Sequence, residues 1–250
     1  MSSIIFELRD QVAIIRLNRL DDFNRLSADA ILSLSDSFRS LNSQPGLRAI
    51  ILTGTGETAF CASADLGEAH GLDDLSEHLF NQIESCGVPV IAAVNGVAAG
   101  VGCELALACH LRIATANAQF SLSETEPGVM SAHLRRQRLA REIGNERALE
   151  IMLTGKAIGA AEALQFGFIN RVVPAAELLA QAEALACEIA ELAPLAIRAC
   201  LEAVTQGTQL SLSEGLALES KLFARLFETD DVREGTSAFL EKRKPVFKGS

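Results

Sequence analysis

The chain has 250 residues, 49% of them hydrophobic, and a formal net charge of −10. It is long enough to bury one large core, and its acidic balance argues against nucleic acid and against an anionic membrane surface as partners. There is no Trp and no Tyr, so chemistry that needs an indole or a phenol is closed to it.

Apolar alternation predicts strands at Ile4–Arg9 and Val12–Leu17, with a turn at Asp10-Gln11 between them. Ser27 is placed to cap a helix running to about residue 41, with Asp29 in its first turn. Gln44-Pro45-Gly46 ends that helix, and 47–52 reads as a buried strand. The stretch 53–67 is rich in Gly, Thr, Ser and Ala and reads as a loop. A helix is expected over 72–86, a buried strand over 88–94 and a helix over 102–109. Short strands follow at Leu111–Thr115 and 119–122. From about residue 132 the pattern is helical, punctuated by Pro174 and Pro194, except for a strand-like run over 168–173. Strands alternating with helices and then helices alone describe an α/β core with a helical C-terminal portion.

The six cysteines (Cys61, Cys86, Cys103, Cys109, Cys187 and Cys200) form no C-x-x-C pair, and several fall in apolar helical patterns. They read as reduced, buried residues of a cytoplasmic protein. Met1 to Glu7 lacks a basic stretch and a long apolar core, so no signal peptide is expected, and no apolar run reaches membrane-spanning length.

The most informative stretch runs from Pro89 to Glu124. The apolar run 89–94 turns at Asn95-Gly96, and Gly100-Val101-Gly102-Cys103-Glu104 then leads into a helix. Glycines before a helix leave backbone N–H groups free to hold a negative oxygen. Glu104 and Glu124 are two carboxylates able to move protons beside such an oxygen, which suits chemistry next to an acyl carbonyl. On the residues alone, two other readings stand: Gly100 and Gly102 serve close helix–strand packing, and the two glutamates are an early-helix residue and a surface residue.

These residues resemble the crotonase (enoyl-CoA hydratase/isomerase) superfamily, and most closely the enoyl-CoA hydratases. The matching pieces span nearly the whole chain: Asn18-Arg19 with Asn24-Arg25-Leu26, the run 59–66 (AFCASADL), the block 89–107, Leu153-Thr154-Gly155, Ala161-Glu162-Ala163 to Val173, and Glu234-Gly235 to Arg243. The resemblance implies a spiral of ββα repeats over 1–190, followed by a helical region over 191–250 used in trimer formation, with members assembling as trimers or dimers of trimers. It implies an acyl-CoA or acyl-carrier thioester as substrate, and no separate cofactor, because coenzyme A arrives with the substrate.

Residue by residue, the resemblance places oxyanion-hole amides at Ala64 and Val101 and the two catalytic glutamates at Glu104 and Glu124. Glu104 then acts as base on the water, and Glu124 delivers the proton to the α carbon. The backbone around Ala62, Ala64, Asp65, Leu66, Gly67 and Gly100, with Phe239 and Lys242 of a C-terminal helix, belongs to substrate and CoA binding. The cluster Lys242-Arg243-Lys244 suits CoA phosphates or is an ordinary solvated helix end.

Four departures stand out. Val101 and Ser63 occupy positions where the family has glycine, and Leu20 replaces a common proline. The run 129–136 (VMSAHLRR) takes the place of a glycine-rich segment that shapes the acyl end of the pocket in relatives. Arg135 and Arg136 there are either partners for a carboxylate on the acyl group or solvated helix residues, and His133 is a candidate auxiliary acid or base. His70 and His78 are not at metal-ligand spacing, and His110 ends a helix, where an imidazolium is electrostatically comfortable. The expected activity is hydration of a 2-enoyl thioester or its reversal. Another enolate reaction (isomerisation or decarboxylation) and a catalytically reduced acyl-CoA-binding subunit are the alternatives.

Overall fold

A computed structural model describes residues 2–63, 69–122 and 135–250, with backbone alone at 69–73 and 135–136. Two sheets form the frame. The larger is built from β1 (Ile4–Arg9), β2 (Val12–Leu17), β3 (Ala49–Gly54), β5 (Val90–Val94), β7 (Leu111–Thr115) and β10 (Arg171–Val173), in the order β1-β2-β3-β5-β7-β10. The smaller runs β4 (Ala59–Ala62), β6 (Val97–Ala99), β8 (Gln119–Ser121), β9 (Ile158–Gly159). Three successive stretches each give one strand to the larger sheet, one to the smaller and then a helix: β3-β4 with α2 (Ala69–Glu84), β5-β6 with α3 (Val101–Ala108), and β7-β8 with α4 (Arg135–Ile143). This is the repeated ββα unit of the crotonase-type spiral.

β1 and β2 are antiparallel, while β2, β3, β5, β7 and β10 pair in parallel. Parallel strands covered on both faces read as continuous apolar runs, and β3 and β5 are buried throughout. Side chains alternate across the sheet. Ile50, Leu52, Ala92 and Val94 face the main core, with Phe38 and Phe60. Ile14, Ile51, Ile91 and Ile113 face the other way, against Leu178, Ala182 and Ala186 of α7 (Leu178–Ala190). Helix α1 (Ala28–Asn42) starts where expected, with Ser27 Oγ accepting from the Ala30 N–H at 3.3 Å.

The predicted loop over 53–67 contains β4, and neither β6 nor β9 is evident from the sequence. β4 has four residues and β6 three. Strands that short carry little propensity of their own and are held by pairing with each other and with β8. Cys61, Cys86, Cys103 and Cys109 are buried as expected, but Cys187 and Cys200 are exposed, because α7 and α8 (Pro194–Gly207) turn those positions outward.

Beyond α5 (Asn145–Thr154) and α6 (Ala160–Gln165), the chain continues through α7 and α8 into α9 (Leu212–Leu226) and α10 (Asp230–Glu241). These last helices leave large apolar side chains in the open: Leu212 is 80% exposed, Leu240 74% and Phe223 61%. No helix among the described residues is long and apolar enough to cross a membrane.

His110 corrects the expectation of an imidazolium at the end of α3. Its Nδ1 accepts the Val90 N–H at 2.9 Å, and its Nε2 lies 3.3 Å from the Glu84 carbonyl. An acceptor nitrogen is unprotonated, so the neutral Nε2–H tautomer is the one that fits both partners. Burial lowers the His110 pKa from its usual value, against the opposing pull of Glu84. The unfolded state therefore binds the proton more readily, and the stabilisation, complete above about pH 6.5, is lost as pH falls through the lowered folded pKa. The thermal midpoint should fall between about pH 7 and about pH 5, and His110→Gln should flatten that fall. Equal slopes for the two proteins in a pH series of melting curves would exclude this contribution.

Candidate active site

Register builds the site. β4, β6 and β8 run parallel, and Ala62, Ala99 and Ser121 stand in one row across them. All three strands therefore end side by side, about 4.8 Å apart, and the chain leaves each carboxyl end at the same level. Crevices at the carboxyl ends of parallel strands are where open α/β sheets bind ligands. From β4 the chain goes on to Ser63 and Ala64, from β6 to Gly100 and Val101, and from β8 to Leu122 and Glu124. Ala64, Asp65, Leu66, Gly67, Glu124 and His133 lie outside the described residues, as do the side chains of His70, Arg135 and Arg136.

Two buried amides fix the start of β4. Asn24 Nδ2 donates to the Thr55 and Ala59 carbonyls at 2.9 and 2.8 Å, and Asn95 Nδ2 donates to those of Gly56 and Ala59 at 2.8 and 3.0 Å. Asn95 Oδ1 accepts from the Gly54 N–H at 3.0 Å. The strap before α1 holds the other end: Ala62 N–H donates to the Phe23 carbonyl at 3.1 Å, and Leu26 N–H to the Ser63 carbonyl at 3.2 Å. Gly54 and Gly56 serve this junction. A Cβ on Gly54 would stand 2.5 Å from the Ala59 carbonyl oxygen.

Helix α3 opens at Gly100, whose φ of +51° and ψ of −120° suit only glycine. The Gly100 N–H donates to the Ser121 carbonyl at 2.9 Å, and the Glu104 N–H to the Gly100 carbonyl at 3.1 Å. The N–H groups of Val101, Gly102 and Cys103 precede that first helical bond, at the positive end of the helix. Gly102 serves packing, since a Cβ there would lie 1.9 Å from the Cys61 carbonyl oxygen. So the packing reading holds for Gly102, while Gly100 sets the turn. The Val101 side chain, 5% exposed, belongs to the main core.

Glu104 sits in the first turn of α3 and is 1% exposed. A carboxylate there is favoured by the helix dipole. Neighbouring thiols are not nucleophiles: burial pushes Cys61 up to about 12, and burial followed by the Glu104 charge pushes Cys103 up as well.

Two arginines that sequence reasoning passed over brace the site. Arg112, 5% exposed, closes the far end of α3. It donates to the carbonyls of Leu107 at 3.2 Å, Cys109 at 2.8 Å and Phe168 at 2.6 Å, and more distantly to that of Ala106 at 3.4 Å. Its remaining nitrogen pairs with Glu142 of α4 at 3.1 Å. The signal was present as one cation inside the apolar run LRIAT. Arg138 of α4 grips both carboxylate oxygens of Glu84 on α2 and lies 5.9 Å from the Phe80 ring centroid. Burial, the largest single influence, would lower its pKa, but the Glu84 bond together with the charges of Glu84, Glu104 and Glu77 outweighs it, so Arg138 stays cationic.

Phe239 and Lys242 stand elsewhere in the single chain. Phe239 is 82% exposed and borders a hollow of about 460 Å³ walled by Leu195, Ala196, Val232 and Phe247. Lys242 ends α10 in the left-handed conformation, with φ +56°. In the basic cluster beside it, Arg243 is already bound to Glu234 and Glu241, each at 2.6 Å, and Lys244 lies 3.9 Å from Glu191. Among the described residues no group of three His, Cys, Asp or Glu is placed to hold a metal ion.

A sequence profile of the Enoyl-CoA hydratase/isomerase family matches residues 7–250. The chain is 36% identical over 253 residues to a crotonyl-CoA hydratase of Syntrophomonas wolfei, covering 98% of this chain and 97% of that protein. It is 37% identical over 255 residues to the 2,3-dehydroadipyl-CoA hydratase of Escherichia coli, covering all of both. The crystal structure of an enoyl-CoA hydratase from Bacillus anthracis superposes with a TM-score of 0.95 at 38% identity, over the full length of both chains. Motifs, strand order and these likenesses agree from end to end, and the chain belongs to the enoyl-CoA hydratase/isomerase family of the crotonase superfamily.

Proposed function

We infer that the protein is an enoyl-CoA hydratase, adding water across the 2,3-double bond of a 2-enoyl-CoA thioester or removing it in reverse. The observation that carries this reading is a buried glutamate, Glu104, one turn inside a helix whose N-terminus opens beside the carboxyl ends of β4 and β8. In the proposed reaction the thioester oxygen takes hydrogen bonds from the Ala64 and Val101 amides. Glu104 removes a proton from water as its oxygen bonds to C3, and electron density moves to the thioester oxygen as an enolate. Glu124 then protonates C2. Close carboxylates in a dry site resist double ionisation, which supports one acting as base and the other as acid. The chemistry needs no cofactor beyond the coenzyme A already on the substrate.

The backbone from Ala62 through Gly67 and Gly100 would lie along the pantetheine and adenine. Phe239 and Lys242 would join from a C-terminal helix, either this chain's or a neighbour's. The exposed apolar side chains of α9 and α10 support self-association through residues 191–250, as a homotrimer or a dimer of trimers.

A panel of 2-enoyl, 3-enoyl and carboxylate-bearing 2-enoyl-CoA esters, followed by product mass, tests the reading. Gain of one water on a 2-enoyl ester is the expected result. Isomerised or decarboxylated product without hydration would replace it with another enolate reaction. Tight binding without turnover on any member would replace it with a thioester-binding role.

A further inference from the structure

Ser63 is held in the left-handed region, at φ +78°, where side-chain-bearing residues rarely stay. Its carbonyl is fixed by the Leu26 N–H at 3.2 Å and approached by the Cys61 Sγ at 3.7 Å. That leaves its side chain over the opening turn of α3: a Cβ built on Gly100 would lie 2.8 Å from Ser63 Oγ. The hydroxyl therefore stands against the residue that immediately precedes the Val101 amide, and it directly precedes Ala64 in the chain. Among the described residues no hydrogen bond to Ser63 Oγ is present. Glycine would relieve the backbone at this position, so a serine needs a reason to be there. Strained conformations of this kind gather where a side chain is used.

We propose that the Ser63 hydroxyl is a further donor to the thioester oxygen, beside the Val101 amide. It keeps its proton throughout and forms no covalent bond. It contributes a hydrogen bond that strengthens as negative charge builds on that oxygen in the enolate. The position suits this role because a hydroxyl rotates to meet its acceptor, whereas the Val101 amide is fixed by backbone. The proposal rests on the hydratase reading for its reaction, but not for its carbonyl.

Two variants keep the test free of folding artefacts. Ser63→Ala removes the hydroxyl and retains the backbone strain. Ser63→Gly removes both and should melt at or above the wild-type temperature. Two readouts are taken: kcat and KM for 2-butenoyl-CoA, and the carbonyl 13C shift of bound butanoyl-CoA labelled at C1, which cannot be hydrated. In both variants kcat should fall by about tenfold to a hundredfold with KM nearly unchanged. The downfield carbonyl shift on binding should shrink in both. A carbonyl shift equal to wild type in the two variants overturns the proposal, whatever the rates do. A smaller carbonyl shift in a protein that hydrates nothing would sustain the proposal and sink the hydratase reading instead, so the two failures are distinguishable.

Discussion

Replacing Glu104 by glutamine should lower kcat for 2-enoyl-CoA hydration by about 10²–10⁴-fold, the usual worth of a positioned general acid or base. The substitution preserves shape, so the packing of a residue that is 1% exposed is kept. What it removes is the only chemistry assigned to that side chain, accepting a proton from water. KM should move far less, because the proposed site holds CoA through other parts of the chain. Steady-state kinetics on purified E104Q, with a melting curve to show that it is folded, give the answer. Turnover within a few-fold of wild type would remove Glu104 from the mechanism.

Arg112→Met should cost about 3–5 kcal/mol of folding stability, because several buried carbonyls lose a charged donor at about 1–3 kcal/mol for each acceptor left unsatisfied. Methionine fills much of the arginine stem but donates nothing. The carbonyls of Ala106, Leu107, Cys109 and Phe168 would lose their guanidinium in a part of the molecule that water does not reach readily. Glu142 matters less, since its side chain is 39% exposed and can return to solvent. Arg112→Lys should fall between the two, because one ammonium cannot span so many acceptors. Urea denaturation of the three proteins measures this. A loss below about 1 kcal/mol in the methionine variant would mean that the end of α3 finds other partners.

Much of the frame could be read from residues alone. β1, β2 and β7 occupy the predicted bounds, and Ser27 caps α1 because a short polar side chain before an amphipathic run has one clear use. The block from Pro89 to Glu104 was legible because its apolar strand, glycine turn and carboxylate are local signals. β4 and β6 were not legible, because their stability comes from each other across 35 or more residues of chain. Arg112 was passed over and His110 misread for one reason. Their roles depend on what surrounds them after folding: a helix end suggested a cation at His110, while burial and the Val90 N–H require a neutral ring. Ser63 was visible as a departure from a glycine pattern, but only the Gly100 turn shows what its hydroxyl stands over.

The row through Ala62, Ala99 and Ser121 constrains how such a protein can change. Adding one residue at the row itself would advance the segment that follows by about 3.3 Å and turn its side chains to the opposite face. That is more than a hydrogen bond tolerates, so in the proposed mechanism one donor or one acid would miss the oxygen or carbon it serves. An extra residue is better absorbed upstream, where β4 already shifts register against β6 between Ala59 and Cys61.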